Sequence, residues 1–346
     1  MFEGKVRVHS PASLNPSSYT LDLSHSCNGA GGAPIMAPMA ARCPPTRPLT
    51  MLASAAAIAV VALIVMRFRR VRQQQKRIAF LNTEDAPKWV DQLEIFARAL
   101  ELPVSRFEKF DCFRGQYPSA DALRRGVYVG VLITGSHFSC VDPALPWLQG
   151  LFECIRTCEE LPHVNVLGCC FGCQAAAVAL GGTVGNNPDG SFAFGVESVD
   201  LTLSELRVAT LRLLESHGEQ VLTLPRGAIL VGTSASAPHE LFVAGRHRNV
   251  LCCQSHPEFD RHLLQSRIEP ALVAKGRLST AQLHAMSEAP AHFYECCTAW
   301  ESGPGGLCGG SLVGRRLYRD VLLEGITVAL ANLAESCSRA ADEARV

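Results

Sequence analysis

Two short segments hold residue types that could do chemistry together: VLGCCFGCQ at 166–174 and QSHPEF at 254–259. In the first, an apolar run reads as a buried strand that passes straight into small residues and then a helix. Cys170 stands at the corner between Gly168 and Gly172, so its thiol would project from a sheet edge at a helix N-terminus, the arrangement of a nucleophile elbow whose strained turn the glycines allow. The partial positive charge of a helix start lowers a thiol pKa, and its free backbone N–H groups can hold a developing oxyanion. The plain alternative is a glycine-flanked core cysteine. In the second segment the apolar run NVLCC leads to His256, with Glu258 two residues on and Pro257 fixing the backbone between them. Such a strand end can present an imidazole oriented by a carboxylate, its other nitrogen facing a thiol. A surface-loop histidine beside a solvated glutamate is the competing account of that segment alone; the two segments together favour a thiol with its base.

Cys173 makes the first segment a CxxC motif, which raises a thiol–disulfide or peroxide-sensing role. A redox motif does not require His256 and Glu258, so the catalytic thiol is preferred. A zinc site would need a second spaced pair, and Cys252 with Cys253 is adjacent, so no metal is expected. Cys154 and Cys158, at i and i+4, share one helix face and read as core.

The elements that must position these residues alternate. IAFL at 78–81 reads as a buried strand, followed by a helix with Trp89, Leu93, Phe96 and Leu100 on one face. Residues 104–113 are a second strand candidate. GVYVGVLITGS at 126–136 is a nearly continuous apolar run ending in Gly and Ser, as a central parallel strand opening into a loop would be. A helix (PWLQGLFECIRTCEEL), a strand (VNVLGC) and a helix (QAAAVALGG) follow, and the chain is strand-rich from about 191 to 256. This predicts an α/β fold: an open, mostly parallel, doubly wound, flavodoxin-like sheet with sites at the strand C-termini. Beyond it, 266–346 form a helical C-terminal extension in which Leu322, Ile326, Leu330 and Leu333 make a stripe, preceded by the flexible SGPGGLCGG at 302–310. The stripe suits a packing helix, or a docking element for a partner or subcellular site.

Composition narrows the function classes. The chain has 346 residues, 48% hydrophobic and 18% charged, with 32 basic against 32 acidic side chains; a net charge of zero offers no footprint for a nucleic acid backbone. Its 15 cysteines lie in apolar runs and adjacent pairs, which reads as a reducing compartment with buried thiols rather than a disulfide framework. Residues 1–48, rich in Pro, Ser, Gly and Ala, are expected to be disordered. Residues 49–66, LTMLASAAAIAVVALIVM, carry no charge and as a helix would span about 27 Å, enough to cross a bilayer. The basic stretch RFRRVRQQQKR follows, so 67–76 is a juxtamembrane linker and the positive-inside rule places the rest of the chain in the cytosol. A signal peptide would carry its charges first, the reverse of this order; a mitochondrial presequence or a cytosolic protein with a buried apolar helix are the other readings.

The segment from Gly168 to Gln174, taken with His256 and Glu258, resembles the class I glutamine amidotransferase domain, the group with a Cys, His, Glu triad that includes the amidotransferase part of GMP synthase. The resemblance covers residues 77–265 and takes in LITGS, the elbow, ALGGTVG, NPDGSFAFGVESVDLT, SHGEQVLTLPRGAILVGTS and QSHPE. It is nearest to stand-alone members such as γ-glutamyl peptidases. It departs at Cys169, where an aliphatic residue is usual, and at Cys173, where Met or His is common.

The resemblance implies Cys170 as nucleophile, His256 as general base and then acid, and Glu258 as the residue orienting His256. It implies an oxyanion hole from the backbone N–H groups of Gly135 and Phe171, and a glutamyl pocket lined by Gln174, Ser216 and His217. It further implies attack on a γ-amide carbonyl through a glutamyl thioester, with no metal or organic cofactor. The substrate would be glutamine or a γ-glutamyl peptide or conjugate. The competing readings are a glutaminase subunit supplying ammonia to a synthetase on another chain, and a non-catalytic or redox-sensing protein of the same fold.

Overall fold

The structure, a computed structural model, describes residues 77–202, 210–288 and 310–332. The segments expected to be disordered (1–48), membrane-spanning (49–66) and juxtamembrane (67–76) lie outside the described residues, as does Leu333. Among the described residues no helix is long and apolar enough to cross a membrane.

The first strand, β1 (Arg77–Asn82), pairs in parallel on one side with β2 (Phe107–Asp111) and on the other with β3 (Tyr128–Ile133). Next come β4 (Asn165–Cys169) and, also parallel, β11 (Val250–Cys253). The parallel part therefore runs β2-β1-β3-β4-β11, the flavodoxin-like order, with its switch point between β1 and β3. All six residues of β3 are buried, which accounts for its unbroken apolar run.

Past β11 the sheet turns antiparallel through β10 (Leu241–Ala244), β9 (Ile229–Thr233), β6 (Ala193–Leu201) and β7 (Thr210–His217). This is the strand-rich stretch of the sequence: connections of a few residues, such as 245–249 between β10 and β11, cannot make the long crossover that parallel neighbours need. A separate two-stranded ribbon joins β5 (Thr183–Asn186) to β8 (Glu219–Thr223). The expected strand at 104–113 is shorter: Val104–Arg106 and Cys112–Arg114 are 3-10 turns on either side of β2.

Helices cover both faces. On one, α1 (Gln92–Ala99) buries Leu93 and Phe96 against Ile78, Phe80 and Leu132. On the other, α2 (Trp147–Glu159) and α3 (Phe171–Ala179) bury Leu151, Ile155, Ala175 and Ala176 against Leu81, Ile133 and Val166. Residues 78–81 alternate between these two cores, the period-two pattern of a strand buried on both sides. In the C-terminal segment, α4 (Gly310–Glu324) places Leu317, Tyr318, Val321 and Leu322 in the α1 face, where Ile326 is also buried and Leu330 packs partly buried. A Cβ on Gly130 of β3 would stand 2.9 Å from the Leu322 carbonyl oxygen, so glycine in mid-strand permits this close approach. Every cysteine among the described residues is buried and free of disulfides.

Candidate active site

The C-terminal edge of the parallel strands brings the predicted residues together. Ile133 pairs with Gly168 and Cys253 with Cys169, so Gly135, Cys170 and His256, two, one and three residues beyond these partners, emerge side by side. Cys170 itself adopts the unusual backbone, φ 49° and ψ −107°, at the start of α3. Its N–H donates to the Cys253 carbonyl at 2.8 Å and its carbonyl accepts from Gln174 N at 3.0 Å, which locks the corner. Gly168 and Gly172 serve close packing instead of positive φ: a Cβ on Gly168 would meet the Gly172 carbonyl oxygen at 2.6 Å, and one on Gly172 would collide with the Ile133 carbonyl. The glycines thus allow the turn by making room for it, and the strained backbone itself sits on the cysteine.

His256 Nδ1 lies 2.7 Å from Glu258 Oε1, and both side chains are buried. The imidazole and the Cys170 side chain meet beside Gly135, where a Cβ would stand 2.8 Å from His256 Cε1 and 3.6 Å from Cys170 Cβ. Burial works against an imidazolium here, but Glu258 and Cys170 outweigh it and hold the His256 pKa well above its ordinary value. The ring stacks on Phe259 at 4.0 Å, within 5° of parallel, and Phe259 stacks in turn on Trp89 at 5.6 Å. The His256 N–H donates to the Leu214 carbonyl at 2.9 Å, which ties the strand end to β7.

Of the remaining predicted residues, Gly135, Gln174, Ser216 and His217 line one cavity of about 370 Å³ that also exposes Cys170, His256 and Glu258, whereas the Phe171 side chain is buried in the core. Gly135 faces the His256 ring, and Phe171 follows Cys170 at the helix start. Gln174 Nε2 donates to the Glu219 carbonyl at 2.7 Å and to Gln254 Oε1 at 3.3 Å. Ser216 and His217 lie at the end of β7. His217 is committed to the protein: Nδ1 faces the Glu219 carbonyl at 3.1 Å and Nε2 lies 3.3 Å from Glu215 Oε2. Burial lowers its pKa. Cys173, in contrast, lies on the core-facing side of α3 and is fully buried in the same core cluster as Cys252.

The sequence reading missed several residues. Gln254 bridges Gln174 and the thiol, its Nε2 lying 3.6 Å from Cys170 Sγ; it stands two residues before His256 in a motif already singled out. Glu84, just past β1, accepts from His137 N at 2.9 Å and Ala86 N at 2.8 Å and lies 2.7 Å from His137 Nδ1. Thr83 and Thr134 are hydrogen-bonded, and Ser136 Oγ donates to the Thr83 carbonyl at 2.7 Å. Together they pin the loop that carries Gly135. Their signal was positional: the C-terminal ends of β1 and β3 flank the switch point.

This arrangement can support nucleophilic acyl chemistry: a thiol at a helix start, an imidazole next to it, and a carboxylate orienting that imidazole. Comparison with known proteins agrees in class. Residues 128–269 match the family described as glutamine amidotransferase class-I. Gamma-glutamyl peptidase 3 of Arabidopsis thaliana is 30% identical over 225 residues, covering 59% of this chain and 86% of that protein. The glutamine-hydrolyzing GMP synthase of Brucella melitensis biotype 1 is 31% identical over 151 residues, 41% of this chain and 28% of that protein. The crystal structure of a glutamine amidotransferase from Thermotoga maritima shares the fold with a TM-score of 0.50 at 20% identity, covering 75% of this chain and 99% of that one. The chain belongs to the class I glutamine amidotransferase family.

Proposed function

We propose that this protein is a cysteine-dependent hydrolase of γ-glutamyl amide bonds. The observation that carries the reading is Cys170, held at φ 49° at the start of α3 beside an imidazole that Glu258 orients. The Cys170 sulfur attacks the γ-carbonyl carbon while His256 takes the thiol proton. The Gly135 and Phe171 amides stabilise the oxyanion. His256 then protonates the leaving nitrogen, the C–N bond breaks, and a glutamyl thioester remains. Water, deprotonated by His256, adds to the thioester; glutamate departs and the thiol regains its proton. Gln174, Ser216 and the chain at His217 hold the glutamyl group. No step calls on a metal or organic cofactor.

The test is glutamate release from γ-glutamyl peptides and from free glutamine by the full-length chain, with Cys170→Ala as control. Release from peptides that the substitution abolishes supports the reading; release from none of them sinks it. A second reading, a glutaminase subunit feeding ammonia to a synthetase on another chain, draws on the similarity to GMP synthase. It predicts glutamine turnover that is weak alone and rises with the partner.

The uncharged run 49–66 followed by basic residues supports a membrane tether with the catalytic part in the cytosol. Carbonate extraction tests this. A full-length chain recovered wholly in the supernatant would remove the anchor.

A further inference from the structure

Beyond Cys170 the cavity continues along residues that the glutamyl group does not need: Lys88 and Trp89 after β1, and Leu272 and Lys275 on the helix Glu269–Ala274 and the turn after it. The charges on this wall are unevenly satisfied. Glu258 is engaged by His256, and the carboxylate of Glu84, which also faces Lys88, is engaged by His137 and the Ala86 amide. Arg267 is bound by Asp91 through two hydrogen bonds of 2.6 and 2.8 Å. Among the described residues, neither Lys88 nor Lys275 makes an ion pair with any carboxylate. Lys88 is held in place, its Nζ donating to the Arg267 carbonyl at 3.2 Å and lying 5.6 Å from the Trp89 ring centre. Burial and the positive charges of Lys275 and Arg267, acting against Glu84, lower the Lys88 pKa. A bound anion would relieve that crowding.

The direction of this wall matters. His256, which hands its proton to the leaving amine, stacks on Phe259, Phe259 stacks on Trp89, and Lys88 lies over Trp89. The row leads from the leaving group toward the two lysines. Of the other residues on the lining, His217 precedes Gly218, beside which Arg277 lies over Phe192, and Gln174 bonds the Glu219 carbonyl.

We propose that Lys88 and Lys275 form a carboxylate-binding subsite for the leaving amine, so that the preferred substrate is a γ-glutamyl amide whose amine portion ends in a free carboxylate. This rests on the γ-glutamyl hydrolase reading and narrows it. Ammonia, the leaving group of glutamine, has nothing for the two lysines to hold.

The test uses γ-glutamylglycine and its C-terminal amide, γ-glutamylglycinamide, with the full-length chain. The expected result is a kcat/KM about tenfold higher for the free acid, the scale of two partly exposed charge contacts, with the ratio falling toward one in Lys88→Gln/Lys275→Gln and persisting in Lys88→Arg/Lys275→Arg. Equilibrium binding of both peptides to Cys170→Ala separates recognition from turnover. Equal binding of acid and amide there, or an acid preference that survives in the glutamine double variant, overturns the subsite even where hydrolysis holds. An acid preference in binding that depends on the two lysines, with no hydrolysis by the unsubstituted chain, keeps the subsite and removes the hydrolase reading.

Discussion

A Cβ placed on Gly135 would stand 2.8 Å from His256 Cε1. Real Cβ atoms do not approach that closely, so the imidazole reaches Cys170 only because residue 135 lacks a side chain. Gly135→Ala has to move either the ring or the loop pinned by Glu84. Because a displacement near 1 Å can cost about 100-fold in rate, Cys170-dependent turnover is expected to fall about that far. The melting temperature should also fall, since Gly135 and His256 are both buried and the added methyl overpacks them. Wild-type turnover in the alanine variant would show that the loop yields freely.

The elbow and the histidine were legible in the sequence because both are local. A strand, a turn and a helix are contiguous in 166–174, and His256 and Glu258 are two residues apart. The reason for the glycines was not legible, since close packing of Gly172 on Ile133 depends on β3, thirty-odd residues earlier. Glu84 and Lys275 were likewise hidden, since no periodicity marks them and only the β1–β3 switch point and the fold-back of 261–278 bring them to the cavity. The period that put Trp89 on the helix face misplaced it, because it ends the 3-10 turn Pro87–Trp89 and lines the cavity instead. The apolar stripe around Leu322 announced a packing helix, yet a glycine within a strand can mark a bulge as readily as a docking point, so Gly130 did not reveal where that helix lands.

The two cysteines of the CxxC motif should separate cleanly. Cys173 is fully buried on the core-facing side of α3, and burial, then the neighbouring Cys252 thiol, pushes its own thiol well above the ordinary range. A protonated core thiol cannot serve as a resolving partner without unfolding its surroundings. Cys173→Ala should therefore keep turnover within about threefold and cost about 1 kcal/mol of stability, while Cys170→Ala abolishes turnover. Equal loss of activity in both, measured as glutamate release, would point to redox chemistry.

Glu215 and Glu240 carry no surface exposure, and burial, with repulsion from Glu197 for the first and from Glu215 for the second, raises each to about 8. In the unfolded chain both ionise near the ordinary carboxylate value of about 4.5. Between these values the folded state holds more protons than the unfolded one. Their contribution to stability is thus fully present below about pH 4.5 and is lost as pH rises toward 8. Glu240→Gln, neutral at every pH and still able to accept the 3.0 Å hydrogen bond from Ser255 N, lacks its share of that loss. Melting curves at pH 5, 6, 7 and 8.5 should show the variant gaining on the wild type by several degrees across the series, at about 2–4 °C for each kcal/mol. A constant difference would mean that the pair does not titrate with folding.

Tyr318 links the C-terminal segment to the site from within the core. Its ring is fully buried on the α1 face, and its hydroxyl lies 2.7 Å from Cys253 Sγ, which is itself 2.9 Å from Ser255 Oγ, one residue before His256. Removing the hydroxyl in Tyr318→Phe leaves Cys253 paired with Ser255, so a loss of about 1 kcal/mol is expected. Tyr318→Ala opens a cavity among Leu317, Val321 and Leu322 and should cost about 3–5 kcal/mol. A chain ending at residue 309 loses all of these side chains together and should no longer unfold in one cooperative step in urea, because β3 and β4 would expose one face to water. If that shortened chain unfolds at the wild-type urea midpoint, α4 is an accessory to the fold and its contact with Cys253 does not brace His256.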